Sequence, residues 1–176
     1  MTSLNSPTLQ LFNLSKPFNF STFQPFNLPL MLNGEFQVGS VEETWALAKE
    51  LAKELKPGDV VCLEGDLGAG KTTFTQGLAA ALGVPGRVTS PTFCIVQEHQ
   101  SPDVLFVHMD LYRLHGEEDV EAIGWEDYLA RGAIFAIEWP ERAGSLIPST
   151  AHRIVFHHLG EEKRRITIDT GGRFAV

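Results

Sequence analysis

Val60-Val61-Cys62-Leu63-Glu64-Gly65-Asp66-Leu67-Gly68-Ala69-Gly70-Lys71-Thr72-Thr73-Phe74 is the stretch that decides the reading of this chain. Its first four residues form an apolar run of the length and composition of a strand buried on both faces. From Gly65 to Thr72 the residues match Gly-x4-Gly-Lys-Ser/Thr, and a helix is predicted to start near Lys71. A glycine-rich turn that binds nothing could also sit between two elements. The strand before the loop and the Lys-Thr pair at its end instead point to a triphosphate. Glycines let successive main-chain N–H groups turn inward around phosphate oxygens, and the helix N-terminus adds a favourable dipole. In this pattern Lys71 reaches the β- and γ-phosphates and the Thr72 hydroxyl ligates Mg²⁺.

Upstream, Ser40-Val41-Glu42-Glu43 sets a hydroxyl N-cap three residues before an acid, and Val41, Trp45, Ala48, Leu51 and Leu55 recur on one helical face. Pro57-Gly58 ends that helix. Downstream, Phe74, Leu78 and Leu82 should face inward from the second helix, with Gly83 closing it. Strand-like runs recur at residues 93–96, 104–109 and 134–137, with one helix predicted over residues 117–129. Residues 153–159 and 164–169 read as two more strands with little between them, hence an antiparallel pair. Alternating helices and strands give an α/β fold: a single P-loop NTPase-type domain over residues 35–176, its mainly parallel central sheet flanked by helices and ending in that strand pair.

A phosphate loop needs a carboxylate near its metal ion, and two acids stand at strand ends: Asp110 after Val-Leu-Phe-Val-His-Met and Glu138 after Ala-Ile-Phe-Ala-Ile. Strand position does not choose between them. No Asn-Lys-x-Asp sequence occurs, so ATP is favoured over GTP. Between the loop and Glu138 the only arginines are Arg87, Arg113 and Arg131, unclustered, which argues against the cationic lid of a small-molecule kinase.

Composition narrows the partners. The 176 residues carry 14 Lys+Arg against 22 Asp+Glu, a formal net charge of −8, opposite to the footprint of a protein that grips nucleic acid by itself. Hydrophobic residues at 43% and charged residues at 20% fit a soluble globular chain with no membrane span. The two cysteines, Cys62 and Cys94, lack disulfide or zinc spacing and read as buried apolar side chains in a reducing cytoplasm.

Four blocks, in order and spacing, are similar to the bacterial TsaE (YjeE) ATPases of tRNA threonylcarbamoyladenosine biosynthesis: residues 65–73, Thr89-Ser90-Pro91-Thr92-Phe93, His108-Met109-Asp110-Leu111-Tyr112-Arg113, and Glu138-Trp139-Pro140-Glu141. The resemblance covers about residues 34–169. It implies an ATPase that works with two partner proteins, TsaB and TsaD, the latter transferring the threonylcarbamoyl group onto the adenosine beside the tRNA anticodon. Contact with tRNA would then be indirect, and hydrolysis would support repeated turnover of the partner complex. By the same resemblance the nucleotide is held by Asp66, Leu67, Gly68, Ala69, Gly70, Lys71, Thr72 and Thr73. Thr72 and Glu138 stand at Mg²⁺, and Asp110 matches a residue needed for ATPase action. Residues 89–93 match a switch-like loop, and Trp139 a position at the nucleotide or partner surface. An ATP-dependent regulatory clamp with little hydrolysis, or a small-molecule kinase, remains the alternative.

Residues 1–34 fall outside the resemblance. They hold one charged side chain, Lys16, and repeat Phe-Asn at residues 12–13, 18–19 and 26–27. Polar residues interrupt every apolar stretch and no Arg is present, so neither an export signal nor a mitochondrial presequence is read here. A low-complexity, disordered extension is expected. His108 shares the strand face of Asp110. His157-His158 point to opposite sides of a strand and form no metal site.

Overall fold

The computed structural model describes residues 18–19, 32–86, 88–91, 94–161 and 163–171. In chain order the elements are β1 (Phe18–Asn19), β2 (Gly34–Val38), α1 (Val41–Ala52), β3 (Val60–Glu64), α2 (Lys71–Ala81), β4 (Val96–Gln100), β5 (Leu105–Asp110), α3 (Glu117–Ala122), α4 (Trp125–Ala130), β6 (Ile134–Glu138), β7 (His152–His158) and β8 (Arg164–Asp169). They form one eight-stranded sheet in the order β1-β2-β8-β7-β3-β6-β5-β4. The middle, β7-β3-β6-β5, is parallel throughout. Antiparallel pairs flank it: β7 with β8, β8 with β2, and β5 with β4. The mainly parallel α/β sheet and the C-terminal antiparallel pair are thus as the sequence implies.

The sheet has two apolar sides. On one, Val61, Leu63, Phe106, Ile154 and Phe156 meet Leu47 and Leu51 of α1 and Phe74 and Leu78 of α2. On the other, Val60, Cys62, Val107, Phe135 and Ile137 meet Val120 of α3 and Trp125 of α4. All of β5 and β6 is buried, which is why these strands read as mainly apolar runs, interrupted in β5 by His108. Among the described residues no helix is long and apolar enough to cross a membrane.

Several expectations need correction. Helix α1 is capped by Ser40, whose hydroxyl accepts from Glu43 N (3.1 Å). Its buried stripe, however, is Thr44, Leu47, Ala48, Leu51 and Ala52; Val41 and Trp45 are 49% and 42% exposed. The stripe is rotated because α2 lies close against α1: a Cβ on Gly77 would stand 2.9 Å from Ala48 Cβ and 3.0 Å from Trp45 Cα. That contact brings the Trp45 backbone inward and leaves much of its ring outside.

The helix predicted over residues 117–129 is two helices, because Gly124 adopts φ 90° between them, a conformation no continuous right-handed helix contains. The strand predicted at residues 93–96 lies at Val96–Gln100, of which only Val96 is shared; Thr92 and Phe93 lie outside the described residues. Strand β2 was not anticipated, although Glu35-Phe36-Gln37-Val38 alternates with Phe36 and Val38 buried. Cys62 is buried, but Cys94 is exposed. The extension expected over residues 1–34 lies mostly outside the described residues. Within it, Phe18–Asn19 runs parallel to Phe36 and Gln37, and Asn33 Oδ1 accepts from Thr170 N (2.7 Å).

Candidate functional site

The C-terminal ends of β3, β5 and β6 lie side by side, so the loop after β3 meets the two strand-end acids at one edge of the parallel sheet. That is where open α/β sheets bind ligands. Here a hollow of about 390 Å³ is lined by Leu67, Gly68, Gly70, Lys71, Thr72, Thr73, Ser90, Asp110, Tyr112, Glu138 and Trp139. Its size falls within the roughly 300–1,000 Å³ of small-molecule sites.

The loop is built for close approach. Gly65 has φ 136°, and a Cβ there would stand 2.6 Å from the Phe156 carbonyl oxygen, so β7 backs the loop with no room for a side chain. Gly70, at φ 114°, is the N-cap of α2 and provides no side-chain capping bond. The first intrahelical bond is Phe74 N to Gly70 O (3.0 Å). The preceding amides of Lys71, Thr72 and Thr73 therefore have no intrahelical acceptor, and an anion at this end would satisfy them.

Lys71 is buried, and its ammonium donates to the carbonyls of Gly65 (2.7 Å) and Asp66 (2.9 Å). It also stands 4.7 Å from the centre of the Trp139 ring, a cation–π contact. Trp139 itself has φ 61°, sparsely populated for a bulky side chain. Pro140 starts the short 3₁₀ turn Pro140–Arg142 behind it. The Trp139 ring meets Tyr112, with centroids 5.0 Å apart. Leu67, 91% exposed, stands at the tip of the loop.

Asp110 and Glu138 are register partners across β5 and β6, both buried. Glu138 touches the loop: Thr72 Oγ1–H donates to Glu138 Oε1 (2.8 Å). Asp110 Oδ1 accepts instead from Tyr112 N (3.2 Å), a turn that aims the chain after β5 across the hollow. The same Glu138 Oε1 lies 3.1 Å from Nε2 of His108, whose side chain is fully buried.

Of the residues read from sequence, Leu67, Gly68, Gly70, Lys71, Thr72, Thr73, Asp110, Glu138 and Trp139 converge on the hollow. Asp66 gives its carbonyl to Lys71, and the Ala69 side chain is buried in the core. Ser90 and Tyr112 line the hollow without having been singled out. Both stand inside quoted motifs, yet their convergence depends on loop paths that no local pattern reveals. Ser90 and Pro91 are described; the switch-like loop's Thr92 and Phe93 are not.

No described cluster of three His, Cys, Asp or Glu side chains could cage a metal ion. Mg²⁺ beside a triphosphate needs none, since it keeps several waters and takes one or two protein ligands plus phosphate oxygens. The donor set fits: the Thr72 hydroxyl proton is committed to Glu138, which leaves the oxygen lone pairs for a cation.

A profile of the family described as "Threonylcarbamoyl adenosine biosynthesis protein TsaE" matches residues 38–166. The chain belongs to the TsaE family. It is 42% identical over 131 residues to a Bacillus subtilis protein named "tRNA threonylcarbamoyladenosine biosynthesis protein TsaE", covering 74% of this chain and 82% of that one. A Rickettsia felis protein of the same name is 39% identical over 142 residues, 80% of this chain and 79% of its own length. The fold is similar to a crystal structure of YdiB from Bacillus subtilis at TM-score 0.66 and 35% identity, covering 80% of this chain and 88% of that one. This TsaE chain therefore joins a P-loop NTPase-type fold to a loop, two acids and a Trp-Tyr wall around one hollow.

Proposed function

We propose that this protein is a Mg²⁺-dependent ATPase that supports threonylcarbamoylation of the adenosine beside the tRNA anticodon. It acts in the cytoplasm through nucleotide-dependent association with a TsaB–TsaD type complex. The observation that carries the chemistry is the Thr72–Glu138 hydrogen bond beside Lys71, which joins the phosphate loop to an acid from another strand. The relatives' names support the pathway.

Each group has a task that follows from its surroundings. The α2 N-terminus and the amides of the loop bind the anionic end of the nucleotide. Lys71 exchanges its two carbonyl acceptors for phosphate oxygens, a stronger charge-assisted pair. Thr72 and Glu138 would hold the metal ion, which when bound would neutralise charge on the phosphates. Asp110, the register partner of Glu138 on β5 and a lining residue of the same hollow, orients the attacking water. Trp139 and Tyr112 wall one side and limit solvent. An acidic chain of net charge −8 reaches tRNA through its protein partners rather than by its own surface.

The test is ATP hydrolysis by purified protein with and without the TsaB–TsaD complex, in Mg²⁺ and in chelator. Hydrolysis that requires Mg²⁺ and rises with the complex is expected, with Glu138→Gln retaining nucleotide binding but turning over much more slowly. Metal-independent activity, or a rate indifferent to the complex, would reject the reading.

A further inference from the structure

His108 stands in the centre of β5 with no exposed surface, on the sheet face that α2 covers. Its register partner on β6 is Ala136, whose small side chain leaves room for the imidazole to lean along the neighbouring strand. The ring reaches Glu138, two residues further on, with Nε2 3.1 Å from Oε1. A carboxylate oxygen only accepts, so the proton of this contact sits on Nε2. Nδ1 is buried and has no hydrogen-bond partner among the described residues, so a proton there would find no acceptor.

That arrangement is a poor way to fill a core. A Leu or Met of similar volume would leave no ring nitrogen unsatisfied, whereas the imidazole desolvates Nδ1 and gains only the bond to Glu138. What the ring achieves is to fix one oxygen of a buried acid. Glu138 Oε1 then accepts from two donors on different elements, Thr72 on α2 and His108 on β5, and the carboxylate cannot rotate without breaking both.

We propose that His108 is a positioning residue for ATP hydrolysis: through Nε2–H it locks Glu138 in the rotamer that receives the Thr72 hydroxyl. His108 is not among the residues that line the hollow and acts only through Glu138. The inference rests on the ATPase reading above, and two kinds of measurement separate them.

The first needs no activity. Long-range ¹H–¹⁵N spectra of the imidazoles in nucleotide-free protein should show His108 as the Nε2–H tautomer, and Glu138→Gln, which can offer an amide donor, should disturb that signal. An Nδ1–H tautomer, or a signal indifferent to Glu138→Gln, overturns the inference. The second is kinetic, with the full chain, Mg·ATP and the partner complex. Losing a hydrogen bond to a charged group corresponds to about a ten- to hundredfold fall in kcat for His108→Ala, with KM for ATP unchanged. His108→Gln, whose amide N–H reaches the place of Nε2, should recover most of the lost rate. Equal losses in Ala and Gln, or a loss confined to KM, would assign the ring a packing role. Wild-type protein that hydrolyses ATP while His108→Ala matches it overturns this inference alone; wild-type protein without hydrolysis overturns both readings.

Discussion

Gly65→Ala tests whether the loop is shaped by β7. The substitution carries two separable costs. At φ 136° an L-residue is held in a backbone region open essentially to glycine alone, at a cost of about 1–3 kcal/mol. The new Cβ would also stand 2.6 Å from the Phe156 carbonyl oxygen, so β7 or the loop must shift by several tenths of an ångström. Overpacking of that kind costs about 1–3 kcal/mol. Together they remove roughly 2–6 kcal/mol from a stability of about 5–15 kcal/mol. Gly68→Ala is the control without a clash: φ is 78°, close to the left-handed region, and nothing lies within 4 Å of its Cβ position, so only a conformational cost of about 1–2 kcal/mol applies. Urea unfolding without nucleotide should place Gly65→Ala below Gly68→Ala by about 1–3 kcal/mol, or at least roughly 2 °C in Tm for a chain of this size. Weaker ATP binding should accompany the larger shift, because the displaced backbone carries the phosphate-facing amides. Equal stability of the two variants would refute the claim that Phe156 backs the loop.

Three other outcomes follow from the same structure. Lys71→Ala should weaken ATP affinity or rate by about ten- to a hundredfold for each charge-assisted bond lost, read by calorimetry and single-turnover kinetics. Native protein should show one fast thiol toward an aromatic disulfide reagent and two after denaturation, since Cys94 is exposed while burial pushes the Cys62 thiol up to about 12. On acidification Tm should fall in two stages. Burial, with His108 nearby, holds His99 below its ordinary 6.5, so the unfolded chain takes up the proton first and stability declines as pH drops below that value. Glu98 is held below its ordinary 4.5 by hydrogen bonds from Arg131, and Glu117 by those from Ser145. Their contribution is present above that pH and lost as pH falls through the depressed values. Removal of the upper stage by His99→Gln, followed by calorimetry, checks the assignment.

Local pattern and the folded chain diverge at a few positions, some through a neighbouring element and one through backbone conformation. Trp45 has the right periodicity for an inward residue, yet the close approach of α2 at Gly77 turns the buried stripe past it. The run at residues 117–129 is periodic enough for one helix, but Gly124 in the left-handed region divides it. Cys94 reads as apolar, but it follows the loop after Pro91 and faces solvent. His108 was placed on the correct strand face; its bond to Glu138 could not be read, because it spans two strands and depends on Ala136 between them.

The phosphate loop was legible in the primary structure because it is contiguous: strand, glycine turn and helix start follow one another, and local backbone preference with hydrophobic pattern determines each. The parallel centre of the sheet followed from the same local logic. Which strand-end acid touches the loop did not, since Glu138 meets Thr72 across 66 residues and His108 across 30. Only the packed sheet decides that, because hydrogen bonds require side chains to arrive within about 3 Å and in line, and strand register, not sequence spacing, sets those distances.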